Sequence, residues 1–408
     1  MARSIPAGPG RLAAGLPGAE AALARRVKRA VFVAAVLSAL ATVSAAPVLA
    51  APTMTGWTLL PTQNRPVPEN QLAAASCTSP KACTAVGFSG PIASSGHRTL
   101  AERWNGQAWT IQKTANPKGA KESRLLGVSC WSAHGCVSVG TSAGATNVLR
   151  ALAEWWNGTS WKLLAAKSPR GGSTTMLEGV SCTAANMCVA VGAHAGATST
   201  VSVAERWNGT AWTAIPPVAP AHATFTEFRG VSCSSAKACT AVGDTNAGGS
   251  GARPLAERWN GKAWKIQPVP GSSAQLNGVS CPSATACTAV GIANPTTTPA
   301  VLAEHWNGNA WKTQAPIKPG GSTTSFLYSV SCVAATSCTA VGQSTGSVPE
   351  PTLAEGLNGA HWTIQPTPNP VGGTDSYLAG VSCLTANTCR AAGAFFSGAT
   401  KSTLAEGD

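Results

Sequence analysis

The stretch LNGVSCPSATACTAVGIANPTTTPAVLAEHWNGNAWKTQ, residues 276–314, has six relatives elsewhere in the 408-residue chain. Each of the seven copies carries two cysteines separated by five residues, and successive pairs begin 48 to 53 residues apart. The pairs are Cys77/Cys83, Cys130/Cys136, Cys182/Cys188, Cys233/Cys239, Cys281/Cys287, Cys332/Cys338 and Cys383/Cys389. A fixed period near fifty residues indicates a repeat architecture with one continuous core.

Each copy predicts four short antiparallel strands, termed A to D. Strand A is L-x-G-V-S-C, and a five-residue turn leads to strand B, C-T-A-V-G. A variable segment of roughly ten residues precedes strand C, L-A-E-R-W. Asn-Gly then predicts a hairpin turn, because both residues tolerate positive φ. Strand D opens on Trp and ends in Pro- and Gly-rich sequence, which stops a strand.

The two ends of the repeat region complement each other. The seventh copy stops within strand C, at 404–408, and the missing strand D stands before the first copy, at 56–61. Four strands per unit fit a propeller blade better than a solenoid coil. The sequence therefore predicts an all-β fold over residues 51–408. We expect a seven-bladed β-propeller of four-stranded antiparallel blades, closed by an N-terminal strand that completes the last blade.

Residues 1–50 have the pattern of a signal peptide, with six Lys/Arg before an uncharged apolar run at 30–50. An uncleaved anchor is the alternative, since the run approaches membrane-spanning length. We therefore expect a secreted protein, or one anchored to the membrane and facing outside. The formal charge of +13 falls to about +8 without this segment, and the basic residues form no cluster in the sequence. Nucleic acid is therefore not an expected partner, and the protein is expected to be a monomer.

Paired cysteines at fixed spacing in an exported protein predict seven disulfides, one per blade. Residues paired across an antiparallel hairpin have Cα atoms about 4.5–5.5 Å apart, within reach of a disulfide. Zinc sites instead use tighter pairs that converge to give four ligands, which separate blades cannot do. Neither a metal nor another cofactor is expected.

The repeated tryptophans and glutamates also predict structural roles. The two Trp residues that flank each Asn-Gly turn, such as Trp104 and Trp109, suit cross-strand packing better than a ring of sugar platforms. Trp131 and Trp155 lie outside the pattern and are candidates for exposed contacts. Strand C carries one Glu per copy, for example Glu102, which we expect to accept backbone N–H hydrogen bonds inside the blade.

The N-G-x-x-W hairpin is similar to the Asp-box of sialidase-type propellers, S-x-D-x-G-x-T-W, over about eight residues per copy, without its Ser and Asp. The whole C-x5-C…W-N-G-x-x-W unit resembles the repeats of secreted bacterial β-propeller proteins. Asp-boxes are structural elements, so the resemblance implies a fold and no catalytic residue. Kelch propellers have a similar period, but their Gly-Gly pairs are missing here.

In a propeller, the A–B and C–D turns lie on one face, and the variable B–C and D–A segments lie on the other, where function is expected. The positions six and four residues before the first cysteine break the repeat, at the end of strand A nearest the variable segments. They include six residues that we expect to line a polar, aromatic mouth near the axis: Arg124, Glu178, Glu227, Arg229, Tyr328 and Tyr377. The alternative is that these side chains only pack the loops together.

Two functions remain open at this stage. The first is a non-enzymatic module that binds an extracellular glycan or protein through the variable face. The second is a glycan-active hydrolase or lyase that uses Glu178 and Glu227 near Tyr328. Such an enzyme needs two carboxylates about 5–9.5 Å apart. Because few acids are expected on the variable face, the binding module is preferred and no catalytic residue is assigned.

Overall fold

The computed structural model describes residues 56–92, 95–167, 174–247, 249, 251–296, 298–346 and 349–408. The predicted signal sequence lies outside the described residues. Twenty-eight strands and no helix are found in the described part, so it contains no helix that could span a membrane. The strands form seven four-stranded antiparallel blades in chain order, which confirms the predicted propeller.

Each blade has its longest strand, A, next to the axis and its shortest, D, at the outside. The A strands are β2 Glu69–Ser79, β6 Glu122–Ser132, β10 Thr175–Ala184, β14 Thr226–Ser235, β18 Ala274–Ser283, β22 Thr324–Ala334 and β26 Asp375–Thr385. The B strands are β3 Ala82–Gly90, β7 Gly135–Ala143, β11 Met187–Ala195, β15 Ala238–Thr245, β19 Ala286–Ala293, β23 Ser337–Thr345 and β27 Thr388–Ser397. The C strands are β4 Arg98–Trp104, β8 Leu149–Trp156, β12 Thr200–Trp207, β16 Arg253–Trp259, β20 Ala300–Trp306, β24 Thr352–Asn358 and β28 Thr400–Gly407. The D strands are β5 Trp109–Gln112, β9 Trp161–Leu164, β13 Trp212–Ala214, β17 Trp264–Gln267, β21 Trp311–Gln314, β25 His361–Gln365 and, for blade 7, β1 Thr58–Leu59.

The N-terminal strand closes the ring as predicted. β1 pairs antiparallel with β28, the C strand of blade 7, through Thr58 opposite Gly407 and Leu59 opposite Glu406. Trp57 then enters the core between blades 6 and 7 and is only 6% exposed. The closure removes a free sheet edge from the last blade.

A β-bulge interrupts strand A at the same place in every blade. The register passes from Leu72 to Ala74 in blade 1 and skips Ala73, and the other six blades skip the equivalent residue. The bulge also explains the repeated Gly of strand B, because a Cβ on Gly87 would lie 2.0 Å from the carbonyl oxygen of Gln71. Bulges redirect a side chain and bend a strand, so one residue per blade turns away from the sheet pattern.

A closed ring of hydrogen bonds joins the seven A strands. The hydroxyl of the Ser before the first cysteine of each blade accepts the backbone N–H of the first cysteine in the following blade, at 2.9–3.0 Å. The last of these bonds links blade 7 to blade 1, from the N–H of Cys77 to Ser382 Oγ at 2.9 Å. The repeated Ser therefore contributes directly to the closure of the ring.

All seven predicted disulfides are present. They join Cys77 to Cys83, Cys130 to Cys136, Cys182 to Cys188, Cys233 to Cys239, Cys281 to Cys287, Cys332 to Cys338 and Cys383 to Cys389. Their Cα atoms lie 3.9–4.0 Å apart, so the expected separation was too long.

The predicted five-residue turn between the two cysteines is also wrong. Strand A of blade 1 continues past Cys77 to Ser79, strand B begins at Ala82, and only two residues form the turn. A second bulge lies between Cys77 and Ser79, where the chain narrows into this tight hairpin. The narrowing brings the two cysteines closer than a regular ladder would.

The second cysteine of each pair lies in the core and not at a surface that a ligand could reach. These strand B residues are 0–4% exposed: Cys83, Cys136, Cys188, Cys239, Cys287, Cys338 and Cys389. In blades 1 to 6 each pairs with the first residue of the tryptophan pair or its replacement in strand C, as Cys287 does with Trp306 and Cys338 with Leu357. The cysteines singled out in the sequence are therefore packing residues, and none of these seven belongs to a binding site.

The tryptophan pairs pack between blades, as predicted. Trp104 and Trp109, for example, lie with ring centroids 5.8 Å apart and are at most 6% exposed. In blade 6, Leu357 replaces the first Trp and is equally buried. Trp155 is 36% exposed, which confirms that it lies outside the core, whereas Trp131 is half-buried and packs against a core cluster.

The strand C glutamates are buried and accept hydrogen bonds, as predicted. Glu257 accepts the backbone N–H of Val218 at 2.9 Å, and Glu154 accepts that of Ala115 at 3.0 Å. Both donors lie in the connection that arrives from the preceding blade. Five of the seven carboxylates accept such a backbone N–H and fix the path between two successive blades. The other two, Glu304 and Glu406, accept threonine hydroxyl groups instead.

Candidate ligand-binding site

The two faces of the propeller differ in composition. The Asn-Gly turns lie beside the A–B turns, so that a Cβ on Gly106 would lie 3.0 Å from the Lys81 side chain. We call the surface formed by these two sets of turns the turn face. The variable segments form the opposite loop face, because strands A and B run between the two. The predicted assignment of turns to faces is therefore confirmed.

The seven bulge residues meet around the axis. They line a central channel of about 190 Å³, and we call them the axial mouth: Ala73, Leu126, Glu178, Arg229, Asn277, Tyr328 and Ala379. This is the set four residues before the first cysteine, which the sequence marked because it breaks the repeat. The residues that follow are mostly Gly, and they let the inner strands approach closely. A Cβ on Gly127, for example, would lie 2.7 Å from the carbonyl oxygen of Glu178.

The expectation of few acids on the loop face is wrong. Among the acidic residues of 51–408, seven are the strand C glutamates and one is Asp408. The other seven all lie at the loop-face ends of strands or in a B–C segment: Glu69, Glu122, Glu178, Glu227, Asp244, Glu350 and Asp375. Acids are rare in this chain, and those without a repeated structural role are concentrated around the axis.

Blades 3 and 4 bring three carboxylates around one guanidinium. Arg229 Nη2 lies 3.0 Å from Glu227 Oε2, and its Nε lies 3.2 Å from Asp244 Oδ1. Glu178 shares a hydrogen bond with Glu227, and burial together with this neighbour raises the pKa of Glu178 well above its usual range. Burial likewise raises the pKa of Asp244, although Arg229 opposes the shift. The neighbouring carboxyl group and the burial of Glu178 therefore both favour the protonated form of Glu178.

Replacing Arg229 with Met is expected to destabilise the protein by about 2 kcal/mol at pH 7 and by less at pH 5. The substitution leaves Glu178, Glu227 and Asp244 together without their cation, and protonation at lower pH relieves their repulsion. Thermal unfolding at the two pH values measures the effect. Arg253→Met, which removes an exposed arginine of the same blade, is the control and should change stability little at either pH. An equal loss at both pH values for Arg229→Met would contradict the electrostatic explanation.

Blades 6 and 7 provide an aromatic sector. Tyr328 lies parallel to Phe326, with centroids 6.2 Å apart, and meets the edge of Tyr377 at 6.4 Å. The Tyr328 hydroxyl donates to Gln343 Oε1 at 3.3 Å, and burial raises the pKa of Tyr328 to about 12. Both tyrosines are half-buried and neutral, so they offer apolar faces and hydroxyl groups at the same place.

Blades 1 and 2 form a cleft of about 640 Å³ that adjoins the channel at Leu126. His97 lies at its base, 2% exposed, with Nδ1 2.9 Å from Glu122 Oε1 and Nε2 2.9 Å from Glu69 Oε2. Arg124 also contacts Glu122, and its guanidinium lies 4.5 Å above the Phe88 ring. Hydrogen bonds from the N–H groups of Gly96 and His97, together with Arg124, outweigh burial and lower the pKa of Glu122.

The predicted site residues therefore fall into three groups around the axis. Glu178, Glu227 and Arg229 form one contact network, and Tyr328 and Tyr377 form a second. Arg124 stands apart in the cleft.

The sequence reasoning missed several polar residues that complete these groups: Glu69, His97, Glu122, Asp244, Gln343, Asp375 and Lys401. For the four acids among them the signal was available, because every acid outside strand C, apart from Asp408, occurs near a variable segment. In the described residues, no group of three or more His, Cys, Asp or Glu is placed to hold a metal ion.

No protein-family model matches the sequence, and no curated protein is significantly similar to it. Among solved structures, YCF48 from Cyanidioschyzon merolae is similar with a TM-score of 0.52 and 12% identity, over 86% of this chain and 98% of that one. This likeness supports the propeller fold and no more than the fold.

Two further structures are similar at lower scores. A protein of unknown function from Dyadobacter fermentans has a TM-score of 0.47 and 9% identity, over 87% of this chain and 98% of its own. The GH74 xyloglucanase from Xanthomonas campestris has a TM-score of 0.45 and 12% identity, over 79% of this chain and 50% of its own.

Proposed function

We propose that the protein is a secreted binding module that holds an extracellular glycan or protein ligand at the axial mouth and the adjoining cleft. One observation carries this proposal. The bulge residue differs from blade to blade, from Ala73 to Glu178 to Tyr328, although the residues around it repeat. A scaffold whose core strands repeat while its axial bulge position varies is expected to carry specificity at that position. The seven disulfides support an oxidising compartment, which agrees with export.

The chemistry of the mouth limits the ligand. Half-buried aromatic rings suit the apolar face of a sugar or an aliphatic side chain, and carboxylates accept hydrogen bonds from hydroxyl or ammonium groups. The seven loop-face carboxylates outnumber the cations that contact them, Arg124, Arg229 and Lys401. We therefore expect a neutral or cationic ligand, and a polyanionic ligand would be repelled.

A hydrolase receives less support from the same residues. Glu178 and Glu227 are close enough to share a hydrogen bond. Glycosidases instead separate their two carboxyl groups by about 5–9.5 Å, so that the sugar or a water fits between them. In this pair the carboxyl groups interact with each other and with Arg229, an arrangement that suits ligand binding.

An array of neutral, amino-containing and acidic glycans tests the proposal directly. We expect the protein to bind neutral or amino-containing glycans and not to bind acidic ones. Tyr328→Ala should weaken the strongest interaction by about tenfold or more, because it removes an aromatic ring at the centre of the site. Trp155→Ala, which removes an exposed aromatic residue outside the mouth, is the control and should leave affinity unchanged.

The outcomes separate the alternatives. An array without any signal would count against glycan binding and direct the search to protein ligands. Equal losses for the two variants would mean that the mouth is not the binding site. Release of shortened glycans by the wild-type protein, abolished in Glu178→Gln, would establish the hydrolase instead.

A further inference from the structure

The turn face carries exposed cations that no carboxylate neutralises. Six exposed lysines lie there, spread over blades 1, 2, 4 and 5: Lys81, Lys162, Lys237, Lys262, Lys265 and Lys312. None of them takes part in an ion pair with any described residue; the described ion pairs lie at the loop face. These basic residues form no cluster in the sequence, and the fold places them on one face of the propeller.

The positions of these lysines follow from the repeat. Lys81 and Lys237 occupy A–B turns and lie against the Asn-Gly turns of their own blades. Lys262 lies in a C–D turn itself, directly after Gly261. Lys265 follows Trp264, the first residue of strand D, and pairs across the hairpin with Arg258. The turns bring residues of separate strands together, so cations that are far apart in sequence share one surface.

Arginines of the same face are held in fixed positions. The Arg258 guanidinium lies 4.7 Å from the centroid of the Trp306 ring, and Arg103 lies 4.8 Å from that of Trp156. Both also donate to backbone carbonyl groups of the next blade's A–B turn. These contacts use aromatic faces and carbonyl oxygens, so they leave the positive charge without a compensating anion.

Acids are almost absent from the turn face. The strand C glutamates are buried inside the blades, and the seven remaining acids of the loop face lie at the other ends of the strands. Asp408 is the exception; it accepts the backbone N–H of Cys389 and lies near Arg390. The acids of the protein are thus concentrated around the axial mouth, and the cations of the turn face have almost no acids beside them.

We infer that the turn face binds a phosphate-bearing anionic surface. Unpaired lysines on one surface attract an extended array of anions, and each Lys near such a surface contributes about 1 kcal/mol of attraction. The cations are most concentrated in blades 4 and 5, at Lys237, Lys262, Lys265 and Lys312. Lipid headgroups and soluble polyphosphate chains both present this chemistry. Binding through the turn face would leave the axial mouth directed away from the surface and free for its own ligand.

Sedimentation with vesicles tests this inference. The disulfide-bonded protein beginning at residue 51 contains the whole ring and lacks the apolar run that could itself enter a bilayer. We expect it to bind vesicles of phosphatidylcholine with phosphatidylglycerol and not to bind vesicles of pure phosphatidylcholine. Bound protein should dissociate as the NaCl concentration rises from about 0.05 M to about 0.5 M. Lys262→Glu/Lys265→Glu should weaken binding by about tenfold or more.

A control of equal charge makes the test specific to the face. Lys118→Glu/Lys121→Glu changes the net charge by the same amount at two exposed lysines of the opposite face, and it should retain most of the binding. Equal losses in both variants would overturn the inference, because net charge alone would then explain the binding. So would binding to neutral vesicles or an absence of binding to either soluble or membrane-held phosphate.

Polyphosphate added in solution distinguishes the two sources of phosphate. Displacement from the vesicles, with direct binding of polyphosphate, would indicate a free polymer as the partner. Binding to the vesicles that polyphosphate does not displace would indicate the lipid surface. Neither Lys262 nor Lys265 belongs to the axial mouth. A protein that does not bind vesicles could therefore still bind a ligand at the mouth, and a protein without a mouth ligand could still bind vesicles.

Discussion

Trp57→Ala is expected to lower the free energy of unfolding by about 3–5 kcal/mol, the range for removing a buried Trp. The side chain packs with residues of two blades, including Val341 of blade 6 and Leu378 of blade 7. Its indole N–H also donates to Gln365 Oε1 at 3.0 Å. The propeller therefore loses core packing and a hydrogen bond between the two blades where its ring closes.

Deletion of residues 51–61 should have a larger effect. It removes β1 with Trp57 and leaves the outer edge of β28 unpaired in the last blade. It also removes Pro61, whose carbonyl oxygen accepts the N–H of Trp109 in blade 1 at 3.0 Å. An unpaired strand edge recruits other chains. We therefore expect a lower melting temperature together with dimers or larger aggregates.

Calorimetry and size-exclusion chromatography check both variants. Trp155→Ala removes the same side chain from the surface of blade 2 and should change stability by less than about 0.5 kcal/mol. A deletion variant that stays monomeric with the wild-type melting temperature would show that the ring does not depend on its N-terminal strand. A linear array of blades would behave in that way.

The fold could be predicted almost completely from the sequence, because the repeat shows the same physical requirement seven times. Cys77 and Cys83 recur as a pair at fixed spacing, and Trp104 and Trp109 flank a hairpin turn in most copies. One copy alone would have been ambiguous. The last copy ends with strand C, and its missing strand D lies before the first copy. This arrangement identified a closed ring.

The candidate site could be predicted only in part. The position of Glu178 was recognised because it breaks the repeat, but the bulge that directs it to the axis has no sequence signal of its own apart from the facing Gly192. His97 was missed because its partners Glu69 and Glu122 lie 25 or more residues away in sequence, and Lys401 was missed because blades 7 and 1 are adjacent only after closure. Glu69 of blade 1, for example, lies 3.6 Å from Lys401 of blade 7. Such contacts depend on the ring and not on local sequence.

The melting temperature is expected to fall by at least about 10 °C between pH 5 and pH 8. The strand C glutamates cause this, because burial raises their pKa to about 7 in six blades and to about 8 at Glu406. Most have one carboxylate oxygen with a hydrogen-bond donor and a second buried oxygen with no partner among the described residues. A protonated carboxyl is less costly in that environment than a charged one.

The sign follows from proton linkage. The unfolded glutamates have a pKa near 4.5, so between about pH 4.5 and pH 7 the folded state holds protons that the unfolded state releases. The stabilising effect is fully present below pH 4.5 and is lost as pH rises through the folded pKa. Each fully shifted group changes the free energy of unfolding by about 1.4 kcal/mol per pH unit within its window. All seven groups lower the free energy of unfolding as pH rises. Part of their combined effect is enough to lower the melting temperature by the expected amount.

Glu257→Gln isolates one of these groups. The amide oxygen can still accept the N–H of Val218, and the side chain no longer titrates. We expect equal or higher stability than wild type at pH 8 and a shallower dependence on pH, measured by calorimetry across the range. Glu122→Gln is the matched control with the opposite sign, because the folded state lowers the pKa of Glu122 and favours its charged form. It should destabilise the protein at pH 7. A melting temperature that is constant from pH 5 to pH 8, or a loss of stability in Glu257→Gln at pH 8, would mean that burial does not raise the pKa of these glutamates.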